Sequence, residues 1–140
     1  MRPAGKIAWF YCRPQTELAI TARWFSRSFR YFILPQPAAN SDPSWFGFLL
    51  TVKEKAGITR DAIINRLEAK GIQTRMLFAG NLIKHPCFDE MRKEGRGYRV
   101  IGELTNTDRI MRDTFWVGVY PGMTDPMLDF MVQTIRASVE

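Results

Sequence analysis

The sequence predicts an α+β fold, a small sheet covered by helices. Three features carry this expectation: a β-α-β unit over residues 45–78, a further strand over residues 115–120, and a closing helix whose apolar residues recur at helical spacing. With 46% hydrophobic and 24% charged residues in 140, the chain has enough apolar material for one buried core and too much for a disordered segment.

A dense run of breakers, Pro35, Pro37, Asn40, Ser41, Asp42 and Pro43, marks the clearest boundary. Beyond it, residues 45–53 are aromatic and β-branched and read as a strand. Thr59 is a good N-cap, Asp61 favours the positive end of a helix dipole, and Ile63, Ile64 and Leu67 supply one apolar face. Gly71 closes that helix, so it covers about residues 60–70. Residues 72–78 form the second strand. Residues 79–99, with Asn81, Pro86, Gly95 and Gly97, read as an irregular loop long enough to be functional. Asn106 or Thr107 caps a short helix through Ile110 and Met111, and residues 115–120 give the third strand. Thr124 caps the last helix, with Asp125 and Pro126 in its first turn. Its stripe of Leu128, Met131, Val132, Ile135 and Val139 is core rather than a cofactor box.

Charge is uneven. Residues 1–40 carry six basic side chains and one acidic, residues 41–140 fourteen and thirteen, so +5 of the net +6 belongs to the head. Trp9, Phe10, Tyr11, Trp24, Phe25 and Phe29 are interleaved with those charges. Such a head could stack on bases or lie at a membrane interface. It reads more simply as a helix docking its aromatics with arginines on the wet face, because no nucleic-acid motif accompanies it. Neither nucleic acid nor membrane is expected as a partner. The longest apolar runs fall far short of the ~20 residues that span a bilayer, and no secretory signal is visible, so the expected location is the cytoplasm.

The residue chemistry excludes more than it assigns. Cys12 and Cys87 form no C-x-x-C pair, and His85 is the single histidine, so no metal site is expected. No dinucleotide or P-loop glycine pattern occurs, and no Ser-His-Asp order can be argued. What remains is a set of loop aromatics and arginines without a complete catalytic group.

Four ordered segments add to this. They are Ser41-Asp42-Pro43-Ser44-Trp45-Phe46-Gly47-Phe48; Gly71-Ile72-Gln73-Thr74-Arg75-Met76-Leu77-Phe78-Ala79-Gly80-Asn81-Leu82; Asn106-Thr107-Asp108-Arg109-Ile110-Met111; and Thr114-Phe115-Trp116-Val117-Gly118-Val119-Tyr120-Pro121-Gly122. Together they resemble the C-terminal part of the pyridoxamine-phosphate-dependent NDP-4-keto-6-deoxyhexose 3-dehydrases of the DegT/DnrJ/StrS aminotransferase group. The CDP-4-keto-6-deoxy-D-glucose 3-dehydrases of lipopolysaccharide biosynthesis are the most similar. The resemblance implies the small domain of a fold-type-I, aspartate-aminotransferase-like enzyme over residues 32–140, preceded by a divergent head at residues 1–31. It also implies a pyridoxal or pyridoxamine 5'-phosphate cofactor in the intact enzyme, bound weakly or not at all by this chain. An iron–sulfur cluster would come only with the large domain. The implied partners are a sugar-nucleotide substrate, a large domain or a homodimer mate, and in the CDP-sugar branch a reductase. No catalytic residue and no metal ligand is carried over.

The substrate-binding residues that the resemblance suggests are Phe46, Arg75, Phe78, Gly80, Asn81 and Arg109. An amide such as Asn81 can donate to and accept from sugar hydroxyls. The planar fork of Arg109 suits a phosphate or sugar oxygen, against the alternative of an ion pair with Glu103, Asp108 or Asp113. Phe46 and Phe78 either wall a pocket or pack in the core, and His85 reads as a solvated loop histidine.

Overall fold

The computed structural model describes residues 30–41, 45–120 and 122–140. The aromatic head with Cys12 lies outside the described residues, as do Asp42, Pro43, Ser44 and Pro121.

Four strands form one sheet: β1 (Phe32–Ile33), β2 (Gly47–Val52), β3 (Thr74–Met76) and β4 (Thr114–Gly118), in the order β1-β2-β4-β3. Every neighbouring pair is antiparallel. Since β2 and β3 both run against β4, they run parallel to each other. The expected β-α-β unit is therefore present, but split by the insertion of β4 between its strands. The period of two in β2 buries Phe48, Leu50 and Val52 on one face and turns Gly47, Leu49 and Thr51 to the other. In register with them, Phe115 and Val117 are buried while Trp116 shares the second face. Thr51 and Thr114 hold the β2–β4 pair with hydroxyls 2.9 Å apart.

Helices α1 (Arg60–Glu68) and α4 (Asp125–Ala137) cover the first face. The Thr59 hydroxyl accepts the Ala62 N–H at 3.3 Å, which starts α1 as expected. Gly71, at φ 79°, ends it: its N–H reaches the Glu68 carbonyl at 2.9 Å, and the Ile72 N–H reaches Leu67 at 3.1 Å. That closure seats Ile72 against Leu67, both buried. The core joins Ile63, Ile64 and Leu67 of α1 to Leu128, Met131, Val132 and Ile135 of α4, with the buried sheet residues between them. Each fully buried side chain of this kind contributes about 1.5–3 kcal/mol. Arg66 ties the two helices by donating to the Ser138 carbonyl at 2.8 Å.

Several expectations need correction. The loop at residues 79–99 is not irregular throughout: it holds 3-10 turns at Leu82–Lys84 and Pro86–Phe88 and a helix, α2 (Asp89–Glu94). Asp89 and Glu90 sit in the first turn of α2, Arg92 and Lys93 in its last, and left-handed Gly95 ends it, so each end matches the helix dipole. Helix α3 (Thr105–Asp113) begins before Asn106, because the Leu104 carbonyl already accepts the Asp108 N–H at 2.8 Å. Strand β3 is shorter than residues 72–78, since Ile72 belongs to the helix closure and Phe78 turns away at φ 46°. Thr124 occupies the N-cap of α4 through its carbonyl, which accepts from Leu128 at 3.0 Å, and its side chain makes no capping bond.

Candidate functional site

The second sheet face carries the site. Leu49, Trp116 and Arg75 stand side by side across β2, β4 and β3. Directly opposed residues in antiparallel pairs share a face, so these three form one row. Phe46, which precedes β2, lies on Trp116 with ring centroids 5.0 Å apart at 55°. Gly47 permits this approach: a Cβ at that position would run into the Trp116 ring. A cavity of about 280 Å³ opens here, lined by Pro35, Trp45, Phe46, Leu49, Phe78 and Trp116 among others. Phe46 is 78% exposed and Phe78 79%, so neither is a core residue.

Phe78 opens the loop after β3. Its N–H bonds to the Met76 carbonyl at 2.8 Å in a three-residue turn, and its left-handed φ of 46° is strained for a bulky side chain. Three contacts hold the loop there. The His85 imidazole donates through Nε2 to the Ala79 carbonyl, so this half-exposed loop histidine is also a fastening residue. Gly80, at φ 59°, presses on Met111 of α3 so closely that a Cβ would sit 2.7 Å from its Cγ. Asn81, only 3% exposed, donates its amide to Asp108 at 2.7 Å. Lys84 reaches the other oxygen of that carboxylate at 2.7 Å. Hydrogen bonds from Lys84 and then Asn81 hold the Asp108 carboxyl below the usual carboxylate range.

The six expected residues therefore fall into distinct groups. Phe46 and Phe78 share the aromatic cleft, and Arg75 flanks it beside Trp116, exposed and donating to the Thr74 carbonyl at 2.7 Å. Gly80 and Asn81 form the pinned loop against α3. Arg109, on α3, makes none of the ion pairs considered for it: Asp108 takes Lys84, and Asp113 takes Arg112 at 2.9 Å. Its Nε is buried with no hydrogen-bond partner among the described residues, which leaves a strong donor uncommitted. Sequence reasoning missed Trp116 as the cleft floor, although its alternation with buried Phe115 and Val117 was the signal. It also missed Arg60, which donates to the Met111 carbonyl and so ties α1 to the end of α3.

These residues do not assemble a pyridoxal-phosphate site. Lys84 is held in an ion pair with Asp108, unlike the free amine a Schiff base needs, and among the described residues no charged side chain lines the aromatic cavity to meet a phosphate. Among the described residues no group of three His, Cys, Asp or Glu side chains can hold a metal ion, and no helix is long and apolar enough to cross a membrane.

Comparison with known proteins supplies the lineage. The chain is 50% identical over 107 residues to a dTDP-4-dehydro-2,6-dideoxy-D-glucose 3-dehydratase of Saccharopolyspora spinosa, covering 76% of this chain and 22% of that protein. It is 52% identical over 99 residues to the lipopolysaccharide biosynthesis protein RfbH of Salmonella typhimurium, covering 71% and 22%. The chain thus spans about a fifth of the curated relatives it matches. Among solved structures it superimposes on the E. coli GDP-4-keto-6-deoxy-D-mannose-3-dehydratase with bound hydrated PLP at a TM-score of 0.71, with 19% identity, over 89% of this chain and 30% of that one. The expected α+β fold of the aminotransferase-like enzymes is therefore borne out. The sequence matches along residues 8–136, and the chain belongs to the DegT/DnrJ/EryC1/StrS aminotransferase family.

Proposed function

We propose that this chain forms the substrate-facing rim of a sugar-nucleotide 3-dehydratase. The reading is supported by one conjunction: a chain about half identical to a 3-dehydratase over 107 residues carries an open aromatic cleft beside a pinned polar loop. Phe46 and Phe78 wall the cleft, and Arg75 offers guanidinium donors beside it. The Gly80–Asn81 backbone meets sugar hydroxyls, held in place by the Asn81–Asp108 bond. Arg109 offers its guanidinium to a phosphate or sugar oxygen once the substrate is bound. The work of these residues is binding and orientation, which gives catalysis its geometry. Pyridoxal or pyridoxamine phosphate, and any iron–sulfur cluster with its reductase, belong to the part of the relatives that this chain does not span. That part, or a second copy, is also the partner against which this chain packs. The division at residues 31 and 32 belongs to the same reading.

The test is complementation. The chain is combined with the remaining portion of the Saccharopolyspora relative, and loss of the C3 hydroxyl from a 4-keto-6-deoxy sugar nucleotide is followed by mass spectrometry. Turnover is expected only when both parts are present, with KM raised by Phe78→Ala and by Arg109→Gln. Turnover by the 140-residue chain alone, or a complemented enzyme indifferent to both substitutions, refutes the proposal.

A further inference from the structure

We infer that the aromatic cleft on the open sheet face is a nucleobase site, which takes the base of a nucleoside diphosphate while the pinned loop takes the sugar. This inference rests on the sugar-nucleotide reading above and assigns its two ends to different parts of the chain.

Size argues first. At about 280 Å³ the cavity lies just below the ~300 Å³ at which pockets begin to enclose whole drug-sized ligands, so it takes one ring system and not an entire sugar nucleotide. Lining chemistry argues next. The floor is Trp116, the flanks are Phe46 and Phe78, and Pro35, Trp45 and Leu49 complete an apolar surface with no charged side chain among the described residues. A pyranose ring with several hydroxyls would leave those hydroxyls without partners here, at the cost of their hydration. A flat base loses little, because its faces stack on aromatic rings and its polar edge can remain at the open side.

Charge complementarity completes the argument. Arg75 is the neighbour of Trp116 on the same face, and only one of its donors is used, on the Thr74 carbonyl. Its remaining N–H groups suit the diphosphate that leaves a stacked base. The groups assigned to the sugar follow Phe78 in the chain, at Gly80 and Asn81, and do not line the cleft, so the left-handed turn at Phe78 joins the apolar cleft to the pinned polar loop.

The test uses the full 140-residue chain with nitrogen-15 labelling, following the Trp116 indole signal and the Gly80 and Asn81 amides by NMR. The probes are dTDP, GDP, thymidine, guanosine and inorganic pyrophosphate. The expected result is that dTDP or GDP moves the Trp116 indole, the matching nucleoside moves it with weaker affinity, and pyrophosphate leaves it unmoved. Phe46→Ala and Phe78→Ala, both at exposed positions, each weaken nucleotide binding about tenfold, the usual loss for an aromatic that stacks on a base. Arg75→Gln weakens the diphosphates and leaves the nucleosides unchanged. Nucleotide shifts confined to Gly80 and Asn81 overturn this inference and leave the sugar-nucleotide reading standing. A Trp116 signal that follows protein concentration and not nucleotide overturns it in favour of a second copy. If no nucleotide moves any signal, this inference falls, and the complementation test decides the sugar-nucleotide reading by itself.

Discussion

Gly80→Ala is the sharpest probe of the pinned loop. Alanine at φ 59° incurs the left-handed penalty of about 1–2 kcal/mol, partly offset by ~0.4–1 kcal/mol from a less flexible unfolded chain. The new Cβ would also lie 2.7 Å from Met111 Cγ, 2.8 Å from its Cβ and 3.3 Å from its Cα. Only the first of these atoms can swing aside, so an overpacking cost of about 1–3 kcal/mol is added. The net expectation is a loss of about 2–4 kcal/mol. Gly57→Ala is the matched control: φ is 73° there, but nothing lies within 4 Å, so the net loss is below about 1.5 kcal/mol. Urea unfolding followed by far-ultraviolet circular dichroism reads both values. Met111→Ala in the Gly80→Ala background recovers about 1 kcal/mol, since the Cγ overlap goes while the Cβ overlap stays. Equal losses at Gly80 and Gly57 would refute the claim that the loop is pressed on α3.

Three further outcomes follow from the same geometry. Gly47→Ala pushes the Trp116 ring out of the cleft, so the nuclear Overhauser contacts between Phe46 and Trp116 disappear; a retained contact shows that the close approach is not needed. The lowered Asp108 pKa means that the folded state holds this proton less tightly than the unfolded state does. Its stabilising contribution is therefore complete above the ordinary carboxylate range and is lost as pH falls through the lowered value. Lys84→Met removes the largest cause and moves the carbon-13 titration of the Asp108 carboxyl upward, and an unmoved titration rejects the pairing. His85→Ala frees the Ala79 carbonyl and raises amide exchange at residues 78–81, while His85→Gln, which keeps a donor, restores protection; equal exchange in both variants rejects the fastening role.

Periodicity made the paired elements legible. Phe48, Leu50 and Val52 alternate, and Leu128, Met131, Val132 and Ile135 recur at helical spacing, so both faces of the core could be read directly. Thr59 and Gly71 marked the ends of α1 because caps act through local hydrogen bonds. The order of strands was not legible, since pairing of β4 with both β2 and β3 depends on contacts distant in sequence. Two-residue β1 was too short to show any pattern. At the site, Phe46, Phe78 and Asn81 came from motif resemblance, and their division between a cleft and a pinned loop required coordinates. The bond from Asn81 to Asp108 crosses 27 positions, and nothing in either local sequence announces it. The bond made by His85 was not legible for the same reason: a loop histidine next to proline gives no sign that a carbonyl six residues earlier accepts its proton.

The insertion of β4 also dictates when the molecule can come into being. During synthesis β1, β2, α1 and β3 leave the ribosome first, yet β3 and the second edge of β2 find no partner until the segment at Thr114–Gly118 has been made. Up to that point only helices, turns and the short β1–β2 pairing can persist, and β2 offers a bare edge on which nascent chains can mispair. Closing the sheet then brings together residues some seventy and forty positions apart, as in Gly47↔Gly118 and Thr74↔Val117, which makes it the slow step. Trp116 arrives on that same strand, so Phe46 and Phe78 acquire their common neighbour in the event that completes the fold.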